Sequence, residues 1–395
     1  VSGVEESELA LEGVLSSWEQ FFASTSEEDA DAAMRERMHN LRSRPFVAIV
    51  DEERIEEELA RLREHPGVAA ATRNWRVSLD SPVAGMHGVW VSPGELLQFL
   101  VEAGMLGDRP LEPAEAQVRI AVLDSGVDDS AFLFGNVLDP VQIDAAGLGS
   151  ALRTNPYDPD GHGSVVAGLI HCLAPDARIT SVRCFGQSPS SLADVVYGLL
   201  FARLLDEPID VFNLSFSVDY SVDECPRCRH TFNTRDERTA MRNLFDHLRT
   251  ELDDRPIFVA AAGNAGGTVA IPAALDGTLA VGSTGASPRG APYADPSYEQ
   301  VPGDFLLAPG GSKATPIATP KGPFVGRHVF GTSFATAIAT GTMARILGNP
   351  AAHGIPGGRD EDRRQAAFQA LRRLADTSFP GYDPTIHGMG VIGRR

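Results

Sequence analysis

Apolar runs and helix-period stretches alternate through the second two-thirds of the chain. Residues 118–123 are apolar except at Arg119 and are closed by Asp124-Ser125-Gly126, the pattern of a strand buried on both faces. Residues 177–185, 209–217, 256–262 and 279–283 repeat it. Between them the spacing predicts helices over 164–172, stopped by Pro175, over 192–205 and over about 235–252. A further helix follows Gly331 and continues through Gly341 to about Leu347. Regular alternation of strand and helix predicts an α/β fold, a doubly wound, mostly parallel sheet flanked by helices. The working crevice of such a sheet lies at the carboxyl ends of its strands. Asp124 and Asn264 fall at those ends, and His162 and Ser333 fall at helix starts expected to face the same edge.

The first third reads differently. Residues 1–44 predict acidic helical segments, with Leu9, Leu11, Val14, Leu15, Trp18, Phe21 and Phe22 as an irregular apolar stripe. Residues 46–50 predict a strand and 53–64 a charged helix carrying Ile55, Leu59 and Leu62 on one face. A turn at His65-Pro66-Gly67 leads to a second strand expected over 68–77, which together make half of a small α+β sandwich. Glycine and proline punctuate residues 83–117 as a linker with one short helix near 95–103. The expected organisation is an N-terminal acidic domain over 1–82, a linker over 83–117 and a main domain over 118–395.

Composition narrows the function classes. The 395 residues suffice for one large and one smaller domain with a packed core. A net charge of −19 argues against a nucleic-acid binder, which needs a basic face. Residues 1–82 hold 18 Asp/Glu against 9 Arg/Lys, so much of that charge sits in the N-terminal segment. The acidic helix at 52–64 reads as a solvated face. No apolar run reaches the ~18–20 residues that cross a bilayer. The start has no signal-peptide pattern and no initiating Met; a cytoplasmic location is the expectation, with a processed start left open. Four cysteines in a chain this long do not make a disulfide framework.

The chemistry lies in three residues. A serine at the first turn of a helix is a weak nucleophile until a base takes its proton. Acyl transfer therefore needs a neutral imidazole, a buried carboxylate to fix its tautomer, and donors for the developing oxyanion. Asp124, His162 and Ser333 supply the first two needs and the nucleophile, in the order Asp, His, Ser. That order differs from Ser, Asp, His of α/β-hydrolases and from His, Asp, Ser of chymotrypsin-like enzymes.

Here the chain resembles the subtilisin-like serine proteases, or subtilases (peptidase family S8). Ala121-Val122-Leu123-Asp124-Ser125-Gly126-Val127 is similar to the family's aspartate motif. Asp160-Gly161-His162-Gly163-Ser164-Val165-Val166-Ala167-Gly168 is similar to its histidine motif, and Gly331-Thr332-Ser333-Phe334-Ala335 to its serine motif. Ala261-Ala262-Gly263-Asn264 resembles the segment whose asparagine completes the oxyanion hole. The likeness runs from about Val118 to Ile392 and implies a subtilisin-like fold and a serine endopeptidase hydrolysing peptide bonds through an acyl-enzyme. It implies that Asn264 and the Ser333 N–H bind the oxyanion. An extended polypeptide substrate would lie as a strand between Gly186, Ser190 and their neighbours on one side and Ser215, Phe216 and Ser217 on the other, with Ala262 and Gly263 lining the pocket beside the cut. Ser215 itself is expected to serve backbone geometry.

Val165 stands where the family has a second histidine, Ser217 near a usual glycine, and Ala337-Ile338-Ala339 where Pro-His-Val is usual. These touch pocket shape and helix packing, not the reaction class. Residues 46–79 resemble the second half of a subtilase propeptide, which implies a zymogen whose N-terminal domain acts as an intramolecular inhibitor until a cut within 78–117. Two rivals stand beside this reading: a catalytically silent binding module of the same fold, and a maturation or signalling protease with one protein substrate. Glutamate and aspartate of the acid-active sedolisins would stand where His162 and Asn264 do. No cofactor is expected. Cys225-Pro226-Arg227-Cys228 with His230 has zinc-knuckle or redox spacing but no second Cys pair. Cys172 and Cys184 read as buried free thiols, and Asp128-Asp129 with Asp158 and Asp160 as carboxylates able to hold calcium without matching a known site motif.

Overall fold

The structure is a computed structural model that describes residues 14–17, 46–48, 50, 52–79, 91–107, 111–128, 137–139, 142–145, 151–153, 157–186, 190–205, 207–218, 234–252, 256–264, 267–284, 301–312, 315–318 and 329–393. In chain order the elements are β1 (Val14–Ser17), β2 (Phe46–Ala48), α1 (Ile55–Glu64), β3 (Arg76–Leu79), α2 (Pro93–Glu102), β4 (Arg119–Asp124), β5 (Gln142–Asp144), β6 (Ala151–Arg153) and α3 (His162–Leu173). They continue with β7 (Arg178–Arg183), β8 (Ser190–Ser191), α4 (Leu192–Ala202), β9 (Val211–Leu214), β10 (Phe216–Val218), α5 (Thr234–Glu251), β11 (Ile257–Ala261), β12 (Thr278–Thr284), β13 (Phe305–Pro309) and α6 (Thr332–Gly348). After it come the one-turn α7 (Pro350–His353) and α8 (Glu361–Leu374).

Eight strands form the main sheet in the order β13-β12-β11-β9-β4-β7-β5-β6, parallel throughout except for the β5–β6 edge pair. The period of two along each strand sends alternate side chains to opposite faces. Ile120 and Val122 of β4 join α2, α3, α6 and α8 in one apolar layer. Ala121 and Leu123 join α4 and α5 in the other. Both faces are thus covered, which is why the strands read as unbroken apolar runs. From β4 the chain passes through α3 to β7 on one side, then through α4 to β9 on the other. This reversal puts the carboxyl ends of β4 and β9 at the switch point of the sheet.

Four sequence expectations are corrected. Within the segment expected to be helical, Val14–Ser17 is a strand, antiparallel to β2; the rest of residues 1–44 lies outside the described residues. The second N-terminal strand covers only Arg76–Leu79, because only there does the segment lie beside other strands. It does not pair with β2 as a small sandwich requires, but forms a three-stranded antiparallel sheet with β8 and β10 of the main body. The apolar run at 209–217 is not one strand either. Ser215 interrupts it, so β9 belongs to the main sheet and β10 to the small one. Residues 91–107, read from their punctuation as linker, bury Leu96, Phe99 and Leu100 of α2 in the main core, with Ser92 capping the helix.

Candidate active site

His162 opens α3 from a left-handed Gly161 (φ 94°), a conformation that suits glycine. The next residue, Gly163, explains how close the helix start comes to β4. A Cβ at 163 would fall 2.1 Å from the Gly126 carbonyl oxygen and 3.0 Å from the Asp124 Cβ. This approach leaves His162 Nδ1 2.8 Å from Asp124 Oδ1, with both side chains fully buried. Oδ1 also accepts the Ser125 N–H at 2.7 Å and the Ser125 hydroxyl at 3.2 Å. Because an ionised carboxylate only accepts, the Nδ1 facing it carries the proton, and the neutral ring keeps its lone pair on Nε2. Nε2 is buried and engaged by no partner among the described residues. Burial lowers the affinity of this ring for a second proton. The Asp124 charge and hydrogen bond, followed by the charges of Asp160 and Asp158, outweigh that effect, and the His162 pKa lies above its ordinary value.

A second carboxylate supports this turn. Asp158 Oδ1 accepts from the Ser125 hydroxyl (2.8 Å) and from the N–H groups of Asp160 (3.0 Å) and Gly161 (2.8 Å). Its Oδ2 accepts the N–H (2.8 Å) and hydroxyl (2.7 Å) of Ser164. Asp158 therefore locks the start of α3 to the loop after β4. Burial still pushes its carboxyl above the ordinary value, against these hydrogen bonds. An aspartate just ahead of a helix start is the sequence signal that points to such a role.

Ser333 is the second residue of α6, whose start at Gly331 has φ 139°. Its hydroxyl donates to the Ser215 carbonyl at 3.1 Å, and its own carbonyl accepts from the Ser215 hydroxyl at 3.0 Å. Ser215 Oγ also lies 2.8 Å from Asn213 Oδ1, and Asn213 Nδ2 donates to Thr340 Oγ1 at 3.0 Å. The end of β9 is thus tied to two turns of α6. The His162 ring packs against Phe334, the residue after Ser333, with ring centroids 5.1 Å apart. The structure therefore joins Asp124 to His162 and brings that ring against the start of α6. It does not hydrogen-bond the Ser333 hydroxyl to Nε2.

Asn264 follows β11. Its Oδ1 accepts both the N–H and the hydroxyl of Thr332 at 3.0 Å. A backbone N–H can only donate, so the oxygen end of the amide is the end bound to Thr332, and the NH₂ end is turned away. Ala262 is buried and held by the bonds of its N–H to Val281 (2.9 Å) and of its carbonyl to Ala270 (3.0 Å). Gly263 has φ 95°. Ser190 lies in β8, Phe216 and Ser217 in β10, and Gly186 just beyond β7.

The space between those flanks is filled by the chain itself. β3 runs antiparallel to both, with Val77 opposite Ser190 and Val218, Ser78 opposite Ser217, and Leu79 opposite Phe216. Glu237, which no motif singled out, receives the approach to this strand. As an acidic residue in the first turn of α5 it reads as ordinary helix-dipole chemistry. Asp129, Cys225, Cys228 and His230 lie outside the described residues. Cys172 and Cys184 are free thiols; Cys184 is fully buried, which pushes its pKa well up. Among the described residues no group of three His, Cys, Asp or Glu side chains could hold a metal ion. No described helix is long and apolar enough to cross a membrane.

The model of the Subtilase family matches residues 115–376, about two-thirds of the chain. This chain is a subtilase. As a member of that family it is a serine endopeptidase, and its substrate is a polypeptide. Solved subtilases share its fold. The epidermin leader peptide processing serine protease (EpiP) from Staphylococcus aureus is 20% identical over 71% of this chain and 74% of its own, with a TM-score of 0.53. A lanthipeptide protease is 20% identical over 70% of this chain and 85% of its own (TM-score 0.51). The S41 psychrophilic protease is 20% identical over 75% and 97% (TM-score 0.53).

Proposed function

We propose that this subtilase cleaves peptide bonds with Asp124, His162 and Ser333 as its catalytic triad, and that its N-terminal segment closes the cleft until it is cut. The observation that carries this reading is the seat of β3. A segment from the chain's own N-terminal region lies as the middle strand between β8 and β10, the two flanks expected to hold an extended substrate.

The chemistry follows from the hydrogen bonds described above. Asp124 holds the proton on Nδ1, leaving the Nε2 lone pair as the base. The Ser333 hydroxyl, which donates to Ser215 in this state, turns to Nε2 when a scissile carbonyl arrives; such contacts commonly tighten only with substrate in place. Ser333 Oγ then bonds to the carbonyl carbon as its proton passes to Nε2, and Asp124 stabilises the imidazolium. The negative charge moves to the carbonyl oxygen, where the Asn264 NH₂ and the Ser333 N–H donate to it. His162 returns the proton to the leaving amine, and water releases the acyl group by the same steps.

The register of β3 also narrows the cut. Leu79 lies opposite Phe216, the residue next to Ser215, whose carbonyl accepts the Ser333 hydroxyl. Self-cleavage is therefore expected at the bonds just after Leu79, within the 78–117 range set by the sequence.

Incubating the full-length chain with a fluorophosphonate and following it by mass spectrometry tests both parts. Wild type is expected to label at Ser333 and to cut itself shortly after Leu79, and Ser333→Ala to do neither. Absence of labelling in wild type would favour the silent binding module. Broad cleavage of generic peptides by the uncut chain would overturn closure by the N-terminal segment.

A further inference from the structure

Ahead of β3, the N-terminal segment meets the peptidase body through side chains as well as main chain. Glu237 is 2% exposed and accepts four hydrogen bonds, all from residues 63–75. Arg63 Nη2 donates to Oε1 at 2.7 Å. Thr72 Oγ1 (2.9 Å), the Arg73 N–H (3.4 Å) and Trp75 Nε1 (3.0 Å) donate to Oε2. A second anchor lies at the start of α4, where the Leu192 N–H donates to the Trp75 carbonyl at 2.8 Å and the Ala193 N–H to Asn74 Oδ1 at 2.9 Å. The Trp75 ring is buried in the apolar layer that contains Leu192, Phe216 and Met241.

Two consecutive residues are therefore recognised by type. A free helix N–H reads the amide oxygen of Asn74, and a buried carboxylate reads the indole N–H of Trp75. A peptide following the same path with phenylalanine at the second position would fill the apolar site. It would also keep Oε2 buried while taking away its indole donor, and the loss of a hydrogen bond to a buried carboxylate discriminates more sharply than a missing methylene. The two positions lie just upstream of the strand that occupies the cleft, so any extended polypeptide entering in the same register passes over both anchors.

We infer that Glu237 is a specificity-determining residue of this peptidase, selecting polypeptides that carry an Asn-Trp pair, or a like pairing of amide and N–H donor side chains, four to five residues ahead of the position held by Leu79. The inference rests on the proteolytic reading, because it takes the docked segment as the guide to substrate.

Two measurements test it. The first needs no catalysis. In the full-length Ser333→Ala chain, amide hydrogen exchange at Arg76–Leu79 is compared for Trp75→Phe, Glu237→Gln and both together. Each single change is expected to speed exchange about 10-fold, and the pair by less than the product of the two, because the charged hydrogen bond between the two side chains is lost in either variant. Additive effects, or none, overturn the contact between the two side chains. The second uses the wild-type chain after it has cut itself, with peptides bearing Asn-Trp or Asn-Phe ahead of a common cleavage stretch. The Trp peptide is expected to have a kcat/KM at least about 10-fold higher, a preference that falls close to one in Glu237→Gln. A preference that persists in Glu237→Gln, or its absence from wild type, overturns the role of Glu237 alone. No cleavage of any peptide overturns the proteolytic reading and the specificity with it.

Discussion

Asp124 and Glu237 are both almost fully buried carboxylates, yet their partners differ in kind. The donors to Asp124 are Ser125 and His162, neighbours fixed by the end of β4 and the start of α3. The donors to Glu237 all come from the N-terminal segment, more than 160 positions away. Peeling that segment off would leave the Asp124–His162 pair untouched and strip Glu237 of every partner described. On the proposed reading, the chemistry is assembled within the sheet edge, whereas access to it would be governed by an arrangement that can be taken apart.

The contrast can be tested from its strongest consequence downward. Asp124→Asn keeps the shape of the pair but favours the wrong imidazole tautomer, so kcat is expected to fall about 10⁴-fold while the fold and the docking of residues 76–79 persist. Steady-state kinetics with exchange on the same variant checks this; release of the segment would mean that the two regions are not independent. Asn264→Ala removes the proposed side-chain oxyanion donor and is expected to cost about 10²–10³-fold in kcat with little change in KM. At Gly163 the expected loss is in stability. The Cβ of Gly163→Ala would press on the Gly126 backbone and on Asp124, at a cost of about 1–3 kcal/mol, read as a lower urea midpoint.

The smallest effect concerns pH. The His162 pKa is raised, so the protonated, unreactive ring persists to higher pH, and the acid limb of kcat/KM is expected above about 6.5. Removing one of the contributing charges with Asp160→Asn is expected to move that limb down. A limb that moves up would overturn the electrostatic account.

Much of the main sheet was legible because its strands are buried on both faces and so announce themselves as unbroken apolar runs. β5 is not, since Gln142 and Asp144 give it polar ends, and no flanking pattern marks β6. The misreading of 68–77 has a different origin. Extended propensity extends over the whole stretch, but the partners that turn it into a strand exist only opposite Arg76–Leu79, on elements more than a hundred residues away. Similarly, nothing local to Ser215 says that β9 and β10 part company there; its bonds to Ser333 decide it. In the site, Asp124, His162 and Ser333 stood out because each sits in a glycine-rich turn of distinctive composition. Asn213 paired with Thr340 and Glu237 paired with Trp75 left no trace in the sequence, since a hydrogen bond across 127 or 162 positions imposes no local pattern.

The small sheet has a consequence for timing. β8 and β10 contribute only two and three residues, and β3 bridges them. Cutting after Leu79 would sever the tether without breaking any of those main-chain bonds or the Glu237 contacts. The freed fragment would remain in place as a competitive inhibitor and leave by simple dissociation. Activity should then appear sooner in a diluted preparation than in a concentrated one, a dependence that cleavage within a single molecule would not produce by itself.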